Sequence, residues 1–302
     1  LDDQVCQHFG LNVPPPDLTR WNTILNRVLK PEGEVSIAIV GKYTGLLDAY
    51  KSLSEALDHG GIANNVKVKM NWIDSEIFER DDTLHHLADV HGILVPGGFG
   101  ERGVEGKIAA ATFAREHSVP YFGICLGMQM LVVEYARNVL GWEGAHSVEF
   151  DDQTAHPTVV FMPEIDKATM GGNMRLGARD TILSAPTNHG GAAPEPSMAS
   201  RLYGGAERVS ERHRHRYEVN PEKVQAIEKA GLNLVGRDET GERMEIAELP
   251  RAVHPFYLGV QYHPEFKSRP LAPSPPFHGL ILAASGQLDD WVAALDSKKR
   301  KR

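Results

Sequence analysis

A cysteine bracketed by glycines is the sharpest chemical signal in the chain. Gly123-Ile124-Cys125-Leu126-Gly127 follows the apolar run Val119–Ile124 and leads into an amphipathic stretch, Met128–Val139. Glycine two positions before and two after the cysteine permits a tight strand-to-helix turn, a nucleophile elbow that stands the sulfur above a sheet. The start of a helix favours thiolate over thiol, and a nearby imidazole acts in the same direction. An unpaired cysteine is otherwise a small core residue, so the brackets and the strand-to-helix position carry the reading. The base and its orienting acid are sought in Gln261-Tyr262-His263-Pro264-Glu265-Phe266. Pro264 predicts an extended His263, and the i, i+2 spacing then sets His263 and Glu265 on one face. Glu265 would accept the Nδ1 proton while Nε2 addresses the sulfur.

Attack on a carbonyl creates an oxyanion, which needs converging N–H donors. The N–H of Leu126 is one candidate, and Gly98 in Pro96-Gly97-Gly98-Phe99-Gly100 is the other. Glycine at 98 would tolerate an unusual dihedral and a close substrate; standing alone, Pro-Gly-Gly is only a turn. His85-His86, in a polar helical stretch, and His213 and His215, in a charged strand, are expected to be solvated. No C-x2-C pair and no H-E-x-x-H occurs, so no metal is invoked. Gly41-Lys42-Tyr43-Thr44 lacks the remainder of a phosphate-binding loop.

The elements that must position these groups alternate along the chain. Val35–Gly41, Val66–Ile73, Gly92–Val95 and Val119–Ile124 read as buried strands, with helices at Asp48–Asp58 and Gly103–Glu116 between them. Later helices are expected at Pro221–Ala230 and Leu288–Leu295, and later strands at Leu232–Val235, Met244–Glu248 and Tyr257–Tyr262. This alternation predicts an α/β fold with a mostly parallel central sheet flanked by helices. One domain is expected over residues 35–290, with Gly- and Pro-punctuated hairpins around a cleft at 141–185 and a mobile loop at 187–200. Residues 1–34, broken by Pro14-Pro15-Pro16-Asp17 and carrying a helical pattern at Leu18–Leu29, read as a connector; residues 291–302 read as a helix end and a basic tail.

A chain of 302 residues with 41% hydrophobic and 24% charged content is neither a disordered segment nor a fibre. Cys6 and Cys125 are too few for a disulfide scaffold. No apolar run approaches the ~18 residues that cross a bilayer, and nothing resembles a signal peptide, so a soluble, cytoplasmic protein is expected without a membrane partner. The last five residues are all basic, which leaves 27 basic against 40 acidic residues over 1–297, a net −13. Such an acidic body disfavours nucleic acid as a partner. The tail reads as solvated, with nuclear import or a nucleic-acid contact as its alternative.

Several strings together carry a resemblance. Val40-Gly-Lys-Tyr-Thr44, Val95-Pro-Gly-Gly-Phe-Gly100, Gly123-Ile-Cys-Leu-Gly-Met-Gln129 and Gln261-Tyr-His-Pro-Glu-Phe266 belong to it, the last two marking the wider class I glutaminases. Met170-Gly-Gly-Asn-Met-Arg-Leu-Gly177 and Glu211-Arg-His-Arg-His-Arg-Tyr-Glu-Val-Asn220 narrow it. Over residues 35–290 the chain resembles the C-terminal glutamine amidotransferase portion of the CTP synthase family, of flavodoxin-like fold. Ser268-Arg269-Pro270 and Pro273-Ser274-Pro275-Pro276 look more like its eukaryotic branch.

The resemblance implies that Cys125 is the nucleophile, His263 the general base and acid, and Glu265 its partner. Gly98 and Leu126 would form the oxyanion hole. Leu126, Gly127, Met128 and Gln129 would line the glutamine site with Gly98, and Glu149 and Arg216 would hold the polar ends of glutamine. Free glutamine carries an ammonium and a carboxylate, which call for one acidic and one basic partner. From the residues alone, Arg212, Arg214 and Arg216 share one face opposite His213, His215 and Tyr217, and such a segment could equally be salt-bridged surface. The family's Asn-Ser-Thr-Glu-Phe reads Ala145-His-Ser-Val-Glu-Phe150 here, with His146 and Val148 as departures, and Asn188–Ser197 reads as an insertion.

The implied reaction is hydrolysis of L-glutamine through a cysteine thioester, with no cofactor in this domain. Its ammonia would serve a covalently linked synthetase domain that aminates UTP to CTP with ATP and Mg2+, under allosteric activation by GTP, in a homotetramer. That synthetase domain is expected outside this chain, so weak or absent glutaminase activity and no CTP formation are expected in isolation. The rivals are another Cys-His-Glu amide or γ-glutamyl hydrolase of the same fold, and a catalytically silent regulatory domain.

Overall fold

Apolar residues run unbroken through Ile37–Val40 because both faces of the strand are covered: Ile37 and Ile39 enter one core, Ala38 and Val40 the other. The computed structural model describes residues 1–42, 45, 47–80, 83–162, 174–185 and 196–299. In chain order the elements are α1 (Asp2–His8), α2 (Thr19–Leu29), β1 (Gly33–Gly41), α3 (Lys51–Asn64), β2 (Val66–Asp74), β3 (Gly92–Val95), α4 (Val104–Glu116), β4 (Tyr121–Ile124) and α5 (Leu126–Asn138). Then follow β5 (His146–Ser147), β6 (Pro157–Phe161), β7 (Arg175–Leu183), α6 (Met198–Leu202), β8 (Arg208–His215), β9 (Tyr217–Val219) and α7 (Val224–Lys229). The last are β10 (Asn233–Arg237), β11 (Met244–Glu248), β12 (Tyr257–Val260), α8 (Pro275–Ala284) and α9 (Leu288–Lys299).

Among the described residues, nine strands form one sheet in the order β2-β1-β3-β4-β12-β11-β10-β7-β8, and β5-β6-β9 form a smaller one. The α/β architecture is the expected one. Pairing is parallel from β2 to β12 and antiparallel from β12 to β8. Short connections join β10, β11 and β12, which antiparallel neighbours allow and parallel ones do not. α3, α6, α8 and α9 cover one face; α4, α5 and α7 cover the other.

Several boundaries differ from the sequence expectation. Arg175–Leu183, placed by composition in a loop-and-hairpin region, is a nine-residue strand of the large sheet. α8 goes unread because it is apolar nearly all round, which removes the one-faced periodicity that signals a helix. α3 begins at Lys51 because Leu47–Tyr50 tighten into a 3-10 turn. The expected mobile loop falls mostly on residues 186–195, and the end of the basic tail on 300–302; both lie outside the described residues. No helix is long and apolar enough to cross a membrane among the described residues. α1 and α2 contribute no buried residue, and Arg27 ties α2 to the carbonyl oxygens of Ile62 and Ala63 at 2.9 and 3.0 Å.

A floor without side chains positions α5. Gly123 of β4 pairs with Gly259 of β12, and a Cβ on Gly123 would meet the Gly127 carbonyl atoms at 2.6 Å. One on Gly259 would meet Met128 Cγ at 2.9 Å, and one on Gly127 the Val95 carbonyl oxygen at 2.1 Å. The helix therefore rests backbone-close on the strands, with its N-terminus at their C-terminal ends. Gly127→Ala is expected to destabilise the fold by about 3 kcal/mol through overpacking. Gly98→Ala, whose Cβ would find only contacts of 3.6 and 3.7 Å, should melt near the parent. Thermal unfolding checks the pair, and equal melting would refute the close approach.

Candidate active site

Cys125 separates β4 from α5 with φ 53° and ψ −103°, a conformation that costs a non-glycine residue about 1–3 kcal/mol. Two contacts hold it there: its N–H donates to the Val260 carbonyl at 2.7 Å, and its own carbonyl accepts the Gln129 N–H at 3.1 Å. The side chain is buried, with Sγ 3.6 Å from Gln261 Nε2 and 3.9 Å from the Arg214 carbonyl oxygen. Cys125 and Cys6 are both free thiols.

His263 reaches the same place from the end of β12. Its N–H donates to the Arg212 carbonyl of β8 at 2.7 Å. His263 is extended, at φ −111° and ψ 80°, as Pro264 demands, but Glu265 lies within a 3-10 turn over Pro264–Lys267. The continuous extended backbone expected for this pair is therefore replaced by a turn, which still lets Nδ1–H donate to Glu265 Oε1 at 2.8 Å. A Cβ on Gly97 would lie 2.8 Å from His263 Cε1 and 3.4 Å from Cys125 Cβ. Gly97 thus forms a shared wall for ring and thiol.

Burial alone would push the His263 imidazole down. The hydrogen bond and charge of Cys125, then those of Glu265, reverse this and carry it up to about 10. Both partners therefore favour the protonated ring beside the sulfur. The thiol and the base are brought together, as a silent domain would not require.

A pocket of about 320 Å³, counting its open mouth, adjoins the sulfur. Its floor is the start of α5, through Cys125, Leu126 and Gln129, and Gly98 and Phe99 form one side. Glu149, His215, Arg216 and Tyr217 form the rest. Of the residues expected at the substrate, Gly98, Leu126, Gln129, Glu149 and Arg216 line this space. Gly127 and Met128 do not, because Gly127 is pressed onto Val95 and Met128 onto Gly259. Gly98 also departs from its expected dihedral: positive φ in this turn belongs to Gly100 and Gly103, and the close approach that demands glycine is at Gly97.

Buried cations hold the turn. Lys42 Nζ donates to the carbonyls of Phe99 and Gly100 at 2.7 and 2.5 Å, so the lysine of the Gly41-Lys42 string is spent on backbone; Tyr43 and Thr44 lie outside the described residues. Lys107 of α4, buried beneath Gly98, is lowered to about 7 by burial and then by the charges of Lys42 and Arg102. Burial raises the Glu149 carboxyl, against the Gly100 N–H it accepts and the charges of Lys42, Arg216 and Lys107. The Gly100 N–H contact ties the pocket's acid to the turn that carries Gly98.

His213 and His215 correct the expectation of solvated rings. β8 alternates, so Arg212 and Arg214 point outward while the two imidazoles are 0% and 3% exposed. Burial drives them down to about 2 and about 3, with neighbouring charges adding to the shift. His215 Nδ1–H donates to the Tyr217 carbonyl at 3.1 Å, and its Nε2 lies 3.1 Å from His213 Nδ1. The outward arginines stack over Phe266 and Phe99. His85 and His86 are exposed, as expected. Sequence reasoning missed Phe99, His215 and Tyr217 as pocket residues and Lys107 beneath it; only strand alternation signalled His215. Among the described residues no group of three or more His, Cys, Asp or Glu is placed to hold a metal ion.

This geometry has relatives. The class-I glutamine amidotransferase family model matches residues 45–283. CTP synthases of Paramagnetospirillum magneticum and Rhodospirillum rubrum are 52% and 54% identical to the chain over 95% of its length. The chain spans about half the length of these curated relatives, 52% of each. The glutaminase domain of Trypanosoma brucei CTPS, solved with bound acivicin, superposes with a TM-score of 0.76 at 40% identity, over 84% of this chain and 94% of that one. These bacterial relatives are nearer in sequence than the trypanosomal structure.

The His263 environment can be tested directly. Its folded value lies above the ordinary 6.5, so the stability it contributes is complete below about 6.5 and lost as pH rises through about 10. Cys125→Ser removes the sulfur that holds the charge. The imidazole should then titrate several units lower by NMR, and an unchanged titration would show that Cys125 does not set it.

Proposed function

Because the chain belongs to the class-I glutamine amidotransferases and is homologous to the glutaminase domain of CTP synthase, we propose that Cys125, His263 and Glu265 hydrolyse L-glutamine through a thioester. The single observation that supports these roles most is the geometry that sets His263, its Nδ1–H donated to Glu265 at 2.8 Å, beside Cys125 across the shared wall of Gly97.

The sulfur attacks the side-chain amide carbon of glutamine, and the carbonyl oxygen becomes an oxyanion facing the N–H groups of Gly98 and Leu126. His263 gives its proton to the departing nitrogen, which leaves as ammonia. The neutral ring then takes a proton from water, whose oxygen attacks the thioester, and glutamate leaves as the thiol is restored. Glu265 accepts Nδ1–H throughout, fixing the ring's orientation. Glu149 binds the ammonium of glutamine and Arg216 its carboxylate, with Gln129 completing the wall. Loading would exchange part of the Glu149 contact with Lys42, Lys107 and Arg216 for the ligand's own charge.

In the whole protein the ammonia passes to a synthetase domain that uses ATP, Mg2+ and UTP, with GTP as activator. Residues 1–34 are the connector to that domain, residues 35–290 the glutaminase, and the assembly a cytoplasmic homotetramer. None of these partners is required to test the thioester chemistry.

Cys125→Ala should abolish covalent labelling by a glutamine-mimicking chloroketone and glutamine-dependent ammonia release while leaving the melting temperature near the parent's. Unchanged labelling stoichiometry would reject Cys125 as nucleophile. Glu149→Gln should raise the chloroketone concentration for half-maximal labelling at least tenfold with little change in the limiting rate, as measured by mass spectrometry. A fall in the limiting rate alone would move Glu149 out of the binding role. Purified chain given UTP, ATP and glutamine should form no CTP.

A further inference from the structure

The mechanism above leaves unused a chain of two buried side-chain amides that ends on the sulfur. It begins at the Tyr217 carbonyl oxygen, which can only accept. Gln129 Nε2 donates to it at 2.9 Å and also donates to Gln261 Oε1 at 3.2 Å. With its oxygen turned to Gln129, the Gln261 amide must present Nε2 to the sulfur, and it does so at 3.6 Å. The opposite rotation would set two NH2 groups against each other and aim an oxygen at Cys125. Gln261 is wholly buried and Gln129 nearly so, so neither amide can turn to water.

The sulfur's other neighbours make this donor consequential. The Arg214 carbonyl, 3.9 Å away, can accept from a thiol but repels a thiolate. His263, from the end of β12, and Lys107, from α4, are the titratable groups coupled to Cys125. The α5 N-terminus adds its backbone N–H groups, and Arg214 of β8 turns its guanidinium away over Phe99. Gln261 is the neutral side-chain donor in this set, so its N–H favours the thiolate whatever the charge of its neighbours.

We propose that Gln261 is a positioning residue whose amide N–H holds the Cys125 sulfur as thiolate beside His263, with Gln129 fixing the orientation of that amide. The inference deepens, and rests on, the reading of Cys125 as nucleophile.

The test is the pH profile of Cys125 alkylation by iodoacetamide, followed site by site with mass spectrometry so that Cys6 serves as an internal control. In Gln261→Met, which keeps the shape and removes the donor, the midpoint should rise by about one pH unit, a tenfold loss of thiolate at any pH below it. Gln261→Glu should raise it further, and the Cys6 profile should not move. A folded Gln261→Met chain with the parent's profile would overturn the proposal. Should that variant not fold, the side-chain NH2 signal of Gln261 in the parent decides by NMR. It should shift with the Cys125 midpoint and lose that step in Cys125→Ala, and a flat response would overturn the contact. A chain whose Cys125 is not labelled by the glutamine-mimicking chloroketone yet shows the alkylation shift loses the functional reading and keeps the Gln261 contact; the reverse pattern loses only the contact.

Discussion

The backbone-to-backbone approach of α5 to β4, β12 and the end of β3 governs the rest of the structure. Gly123 and Gly259 face each other across the sheet, and Gly127 lies on the Val95 carbonyl. A helix lowered this far must begin abruptly after β4, and the abruptness appears as the left-handed φ of Cys125. The same lowering brings the end of β12 alongside that turn, because the Cys125 N–H is bonded to Val260. His263 then needs only to clear Gly97 to reach the sulfur. A single packing constraint therefore fixes Cys125, its strain and the neighbourhood of His263.

Charge placement is the second layer. Positive charge converges on the pocket from Lys42, Lys107 and Arg216, and Glu149 is the acid they surround. In a cleft partly closed to water these charges interact more strongly than they would at the surface. The turn that carries the Gly98 N–H is held by one of these cations, Lys42, through the carbonyls of Phe99 and Gly100.

Two sheets meet at the pocket. The large sheet supplies Cys125 and His263 from the ends of parallel strands, where the openings of such folds commonly lie. The small sheet supplies Tyr217 directly and Glu149 just beyond β5, tied back by a bond from its N–H to Ser147 Oγ at 3.2 Å. Its short strands interrupt the β–α alternation, and they are built where glycine and proline punctuate the chain. Cys125 and His263 thus ride on the repetitive half of the fold, and Glu149 and Tyr217 on the irregular half.

The sequence by itself determined the elements that repeat and the local strings that react. Gly-x-Cys-x-Gly between an apolar run and an amphipathic one, and His-Pro-Glu after another apolar run, are short-range patterns whose geometry is set within a few bonds. Only the tertiary structure decided what depends on partners far along the chain. His213 and His215 read as solvated because their neighbours in sequence are arginines, yet pleating turns them inward, His213 against Tyr262 and Glu245 and His215 against His213. Gly98 and Gly97 are indistinguishable in the string; the imidazole of a residue more than a hundred positions away selects Gly97. Met128 and Gln129 adjoin on α5, and the helical rotation between them sends one into the sheet and the other into the pocket. Periodicity reports which face is buried, whereas the group waiting on that face is a long-range fact that no local pattern encodes.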